Sequence, residues 1–223
     1  MIIDHFGAAF ARDTGFDLSF MRLIGRMAFP LYAFLIAVGC DKTRDIKKYI
    51  MRLFAFALVS HVPFAIFIGV VNGTGTEIFS LAHLNVFFTL ACGALSIWIY
   101  QLTFRKDKIA WILAIAALAA ACEFLNTDYG AIGVIYIAAI YIAGEERKQA
   151  VVMAAGAIAI YIGHLLQGPG HIQFYSAFAA MAASLLVLVY NGEKGPSAKY
   201  LFYGMYPVHL LLISGIYFLL YIK

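Results

Sequence analysis

MAFPLYAFLIAVGCDKTRDIKKYIMRLFAFALVSHVPFAIFIGVV, residues 27–71, places two apolar runs on either side of a short basic connection. The run at 27–40 holds no charged side chain, and the run at 50–71 holds one, Arg52, near its start. Neither run alternates apolar and polar residues as a barrel strand would, so each reads as a helix that satisfies its own backbone hydrogen bonds. Five basic residues, Lys42, Arg44, Lys47, Lys48 and Arg52, crowd the connection and its edge. This is the pattern of a membrane hairpin anchored on its basic side.

The same pattern extends along the chain. Of its 223 residues, 64% are hydrophobic and 13% are charged, against about 25% charged in a soluble domain. The mean hydropathy of +0.87 is too high for one soluble core of this size. Apolar runs fall at 1–11, 27–40 (with an onset as early as 16), 50–71, 79–104, 109–125, 129–143, 151–167, 171–190 and 200–222. These predict an all-α polytopic transmembrane bundle of about nine helices, the first one short, in a single domain over 1–223. No basic n-region with a small-residue cleavage site opens the chain, so the apolar start is expected to be a helix, not a signal peptide.

Charge orients the bundle. Twelve of the sixteen basic residues lie in one set of connections: the five above, then Arg105, Lys106 and Lys108, then Arg147 and Lys148, then Lys194 and Lys199. The other side holds Arg12, Arg22, Arg26 and Lys223, and its loops at 72–77, 126–130 and 167–171 have no Lys or Arg. The positive-inside rule makes the basic side cytoplasmic, with the N-terminus inside and the C-terminus outside. The net charge of +4 is small and dispersed, so no nucleic-acid partner is expected. Cys40, Cys92 and Cys122 lack metal-ligand or CxxC spacing, the histidines lack HxxxH or HExxH spacing, and no GxGxxG or Walker loop is present.

Polar groups inside apolar spans are costly and therefore candidates for function. Asp4-His5 offers an imidazole base beside a carboxylate, though neighbours on a helix point about 100° apart, and a helix-end Asp with a structural His is the equal alternative. Arg22 and Arg26, spaced i,i+4, share a face and can hold one anion, or they can simply snorkel. Asn85 and His209, the latter two residues after Pro207, can be site groups or interhelical hydrogen-bond formers. Asp128 reads first as the N-cap of the helix at 129–143. The basic cluster at 41–52 is a positive-inside anchor or a phosphate-binding mouth.

The segments IIDHFG (2–7), RLIGRMAFPLYAFLIAVG (22–39), TRDIKKYIMRLFAFALVSHVPF (43–64), LNVFFTL (84–90), DYGAIGVIYI (128–137) and KYLFYGMYPVHLLLI (199–213) together resemble the TraX family, named for the F-pilin acetylase of conjugative plasmids. The FPLYAF and FYGMYPVHLLLI blocks are the most specific. The resemblance implies a bacterial inner-membrane acyltransferase, similar to the wider transmembrane acyltransferases that take acetyl from cytoplasmic acetyl-CoA. It implies His5 as catalytic base with Asp4 beside it, and places Arg22, Arg26, Asn85, Asp128 and His209 at matching positions for holding substrate or oxyanion. Arg44, Lys47, Lys48, Arg52 and Arg105 would hold the phosphates of acetyl-CoA. The acceptor would be a peptide amine, a glycan or a lipid, and a homo-oligomer is left open. Two rival readings need no acyl chemistry: a proton-coupled transporter or flippase, and an assembly partner of a surface machine.

Overall fold

The computed structural model describes residues 1–11, 13–73, 83–104, 106–167, 171–193 and 199–221. Among them are eleven helices: α1 (Ile2–Phe10), α2 (Ser19–Gly25), α3 (Ala28–Lys42), α4 (Ile46–Val59), α5 (His61–Asn72), α6 (Val86–Thr103), α7 (Lys108–Phe124), α8 (Gly130–Ala143), α9 (Glu146–Gln167), α10 (His171–Val187) and α11 (Lys199–Tyr221). The expectation at Arg105 falls outside these residues, as do those at Arg12, Lys194 and Lys223.

Nine apolar runs become eleven helices because two of them break, each at a carbonyl that the proline four residues later cannot serve. Pro30 has no N–H for the carbonyl of Arg26, and the chain breaks there between α2 and α3. Pro63 stands in the same relation to Val59, and α4 and α5 meet at Ser60 with a bend of 45°. By length and composition, Ser19–Lys42, Val86–Thr103 and Tyr203–Tyr221 can each cross a membrane, and α4 with α5 makes a fourth span if the bent pair is one. The remaining helices are shorter or less apolar. At nine residues α1 is about 14 Å long, roughly half the hydrocarbon thickness.

The helices form a multi-pass bundle whose surface is greasy. Phe124, Leu219, Val189, Leu113 and Leu58 stand well exposed, as lipid-facing side chains do. The centre lies along α3, α6 and α8, where Ala33, Ala91, Ala94, Ile97, Ile137 and Ile140 are fully buried. Gly93 of α6 lets Ile137 of α8 press directly on its backbone, and Gly133 does the same for Thr89. Small residues at such crossings bring helix backbones close, and this dispersion replaces the hydrophobic drive that lipid cannot supply. Cys92 of α6 and Cys122 of α7, far apart in sequence, lie beside one another.

Asn85 locks the break in α4–α5 to the start of α6. Its Oδ1 accepts from the Phe87 N–H at 3.0 Å, the N-cap bond of α6. Its Nδ2 donates to the carbonyl of Ala57 at 2.8 Å, one turn before the bend. The side chain is wholly buried, so both bonds stand in low dielectric. Replacing Asn85 with Ala strands a buried N–H and a buried carbonyl, and is expected to cost about 1–3 kcal/mol of stability. Denaturant unfolding in detergent micelles measures this, and an unchanged midpoint would show that the amide holds nothing together.

Candidate functional site

The first and last helices meet through two histidines. His5 Nδ1 lies 2.7 Å from His209 Nε2, and the rings stack with centroids 4.9 Å apart. His209 Nδ1 lies 2.6 Å from the Met205 carbonyl. A carbonyl only accepts, so His209 Nδ1 carries the proton and donates it there. His209 Nε2 is then the acceptor in the neutral pair, and His5 Nδ1–H is the donor. The relay leaves the lone pair of the neutral His5 ring on Nε2, which makes no hydrogen bond among the described residues. That is the arrangement of a general base whose tautomer is set by a second group. The carbonyl that Pro207 leaves without its N–H is that of Tyr203, so His209 does not use the proline's gap but the carbonyl of its own preceding turn.

Depth along α11 places the pair. His209 is ten residues from Lys199 and twelve from Tyr221, about 15 and 18 Å from the two helix ends. A cavity of about 390 Å³ adjoins it, lined by Met1, Ile2, Ile3, Tyr32, Met205, Tyr206 and His209. Met205 is one turn closer to Lys199 than His209 is, so the cavity extends from the histidines toward the basic end. Phe67 of α5 and Tyr206 of α11 pack edge-on against His5.

At the depth of the histidines, on the side of α1 that faces α2, lies an ionic cluster. Asp4 does not reach toward His5; its carboxylate pairs with Arg22 at 2.9 Å, and Arg22 also donates to the Asp4 carbonyl. Gly25 makes this possible, because a methyl group there would overlap the Asp4 side chain. Arg22 and Arg26 both act electrostatically on His5, and Asp128 feels His83, Arg26, Asp4 and Arg22. Asp128 is not the N-cap of α8. The cap position is Tyr129, held at φ 66° and stacked on Phe29, while Glu123 supplies the carboxylate that accepts from the Ala131 N–H. Asp128 instead pairs its backbone with Leu84, and its carbonyl accepts from the Thr89 hydroxyl.

The structure thus gathers Asp4, His5, Arg22, Arg26, Asp128 and His209, and gives Asn85 a bracing position. Arg44, Lys47, Lys48 and Arg52 form a separate group. Arg22 lies in α2 and Lys42 at the far end of α3, twenty residues apart with the break between them. At the basic end Lys47 lies over Trp98, Arg52 over Tyr49, and Lys42 over Tyr190. Lys48 pairs with Asp45, whose carboxyl is held below its ordinary range chiefly by the Lys48 backbone N–H. Arg44 is exposed. Tyr206 and Tyr32, which line the cavity, are the site residues sequence reasoning missed. The signal for Tyr206 was its i−3 spacing from His209, which puts both on one face.

Two comparisons place this chain among known proteins. A family model described as "TraX protein" matches residues 1–217. The chain is also 27% identical over 234 residues to the "Probable fimbrial assembly protein FimC, serogroup H1" of Dichelobacter nodosus, covering 96% of this chain and 90% of that protein. No solved structure matches.

The Asp4–Gly25 contact yields a test of the ionic cluster. Gly25→Ala forces backbone or Asp4 to shift and is expected to destabilise the protein by about 1–3 kcal/mol. Thermal unfolding in micelles reads the loss; a variant as stable as the parent would mean α1 and α2 are not packed this way.

Proposed function

The chain belongs to the TraX family, and from that premise we propose that it is an integral-membrane acyltransferase that moves an acetyl group from acetyl-CoA to an acceptor amine or hydroxyl, with His5 as general base. The observation that carries this reading is the hydrogen-bond relay from Met205 through His209 to His5. It presents an unprotonated imidazole nitrogen at mid-bundle, beside a cavity that extends toward the basic end.

Positive-inside asymmetry makes that basic end cytoplasmic, where acetyl-CoA is available, in a bacterial inner membrane. Arg44, Lys47, Lys48 and Arg52 supply the cations for its phosphates. The thioester arm then enters along the cavity lined by Tyr32, Met205 and Tyr206. The acceptor comes from the opposite end and meets Arg22, Arg26 and Asp128 near His5, which offer charges of both signs to orient it. The fimbrial relative favours a pilin-like polypeptide amine as acceptor. The nucleophile attacks the thioester carbonyl carbon while His5 Nε2 takes its proton. The carbonyl π pair moves onto oxygen, then returns as the C–S bond breaks and CoA leaves as thiolate, to be protonated by the His5 imidazolium. His209 accepts from His5 Nδ1–H throughout and so steadies the charged ring. Asp4, paired with Arg22, shapes the cluster at one remove from the proton transfer.

In liposomes with labelled acetyl-CoA and a membrane extract, the protein is expected to release CoA and label an acceptor without any ion gradient. His5→Ala should lower transfer by about 10²-fold or more, and His209→Ala by a smaller factor, with both proteins folded. Full transfer by His5→Ala would remove His5 from the chemistry, and gradient-dependent substrate movement without CoA release would replace the enzyme with a transporter.

A further inference from the structure

Acyl transfer needs more than a base. When the nucleophile adds to the thioester, the carbonyl oxygen takes a full negative charge, and in a dry site that charge requires a hydrogen-bond donor already in place. Of the residues the sequence offered for this task, two are committed elsewhere. Asn85 spends its amide on Ala57 and Phe87. Arg22 turns its Nη1 to the side chain and carbonyl of Asp4.

We propose that the Tyr206 hydroxyl is the oxyanion donor of this site, a catalytic residue that stabilises the tetrahedral intermediate next to His5. The inference rests on the acyltransferase reading and gives it a second catalytic group.

Four observations converge on Tyr206. Its ring is only 2% exposed yet forms part of the cavity wall, together with His209 and Tyr32. It packs edge-on against both imidazoles, 6.2 Å from His5 and 5.7 Å from His209 between centroids, and against Phe87 at 5.2 Å. These three contacts fix the ring and therefore aim its hydroxyl. The hydroxyl oxygen lies beside the Val86 backbone N–H, at the first residue of α6. An N–H can only donate, so this neighbour does not take the phenol's own proton, and no hydrogen bond donated by the hydroxyl is found among the described residues.

The start of α6 explains why such a phenol donates well. Its first N–H groups have no intrahelical partners. Asn85 Oδ1 takes that of Phe87 and the Asn85 carbonyl that of Phe88, while that of Val86 lies beside the Tyr206 oxygen. A donor pulling on the phenol oxygen polarises its O–H and strengthens the bond that O–H makes in turn. The positive end of the α6 dipole acts in the same direction. Tyr206 thus passes the field of a helix N-terminus, which is itself sealed in the protein, into the cavity. During the reaction the hydroxyl keeps its proton: it shortens its hydrogen bond as charge grows on the thioester oxygen and relaxes when the carbonyl re-forms.

The test is Tyr206→Phe, which removes one oxygen and keeps the ring that packs against the histidines. With the full chain in liposomes and labelled acetyl-CoA as donor, kcat should fall by about 10²-fold while KM for acetyl-CoA stays within about twofold. Thermal stability should fall modestly, because the buried Val86 N–H loses the oxygen beside it. A second variant carries 3,5-difluorotyrosine at 206, whose more acidic phenol still donates; it should retain far more activity than Phe and shift the rate with phenol acidity. Parental kcat in Tyr206→Phe overturns the proposal and leaves the acyltransferase standing. If Tyr206→Phe does not fold, a difluorotyrosine protein with unaltered rate overturns it. No CoA release by the unmodified protein, under conditions where it is folded, overturns the acyltransferase reading and this one with it.

Discussion

The hydrogen bond between His5 and His209 joins residues 204 positions apart and ties the first helix to the last. A half-length helix such as α1 cannot hold itself in a bilayer by its own span. It is held by what it touches: α2 through Asp4 and Arg22, α5 through Phe67 against His5, and α11 through the histidine pair. At the end away from the basic loops, Tyr217 of α11 donates to Asp13 and stacks near Phe10, closing the same seam a second time. In low dielectric such bonds are stronger, and their loss leaves buried groups without water to replace them. The seam between α1 and α11 is therefore both a structural clasp and the wall on which the chemistry stands.

Charge is layered along the bundle axis. Cations over aromatic faces and a capping carboxylate occupy one end, and deeper in lie the histidine pair and its cavity, with the Asp4–Arg22 pair, Arg26, Asp128 and His83 grouped near them. Charges inside a membrane protein are tolerated when opposite signs meet, as these do. The proline breaks shape the same middle region. The bend at Ser60 brings α5 and Phe67 to His5, and the break before Ala28 lets α2 turn Arg22 toward α1 while α3 sends Tyr32 to the cavity. Neither break leaves the bundle loose, because Asn85 bridges one of them and Gly25 packs against Asp4 beside the other.

The amino-acid sequence by itself determined the helical class, the placing of the apolar runs, the basic and non-basic ends, the family, and the suspicion that fell on His5, Arg22, Arg26, Asp128 and His209. All of these follow from local hydropathy, charge counting or short blocks of residues, which need no knowledge of what lies across the bundle. Tertiary structure alone decided the partners. Asp4 and His5 are neighbours in sequence yet face different helices, one an arginine of α2 and the other a histidine of α11. Asn85 became a brace, Asp128 gave up the cap to Glu123 and Tyr129, and Tyr206 emerged from an aromatic-rich helix as the residue between a helix N-terminus and the histidines. The physical reason is that a side chain's chemistry in a membrane interior is set by the one or two groups that replace its water, and those groups arrive from segments up to two hundred residues away.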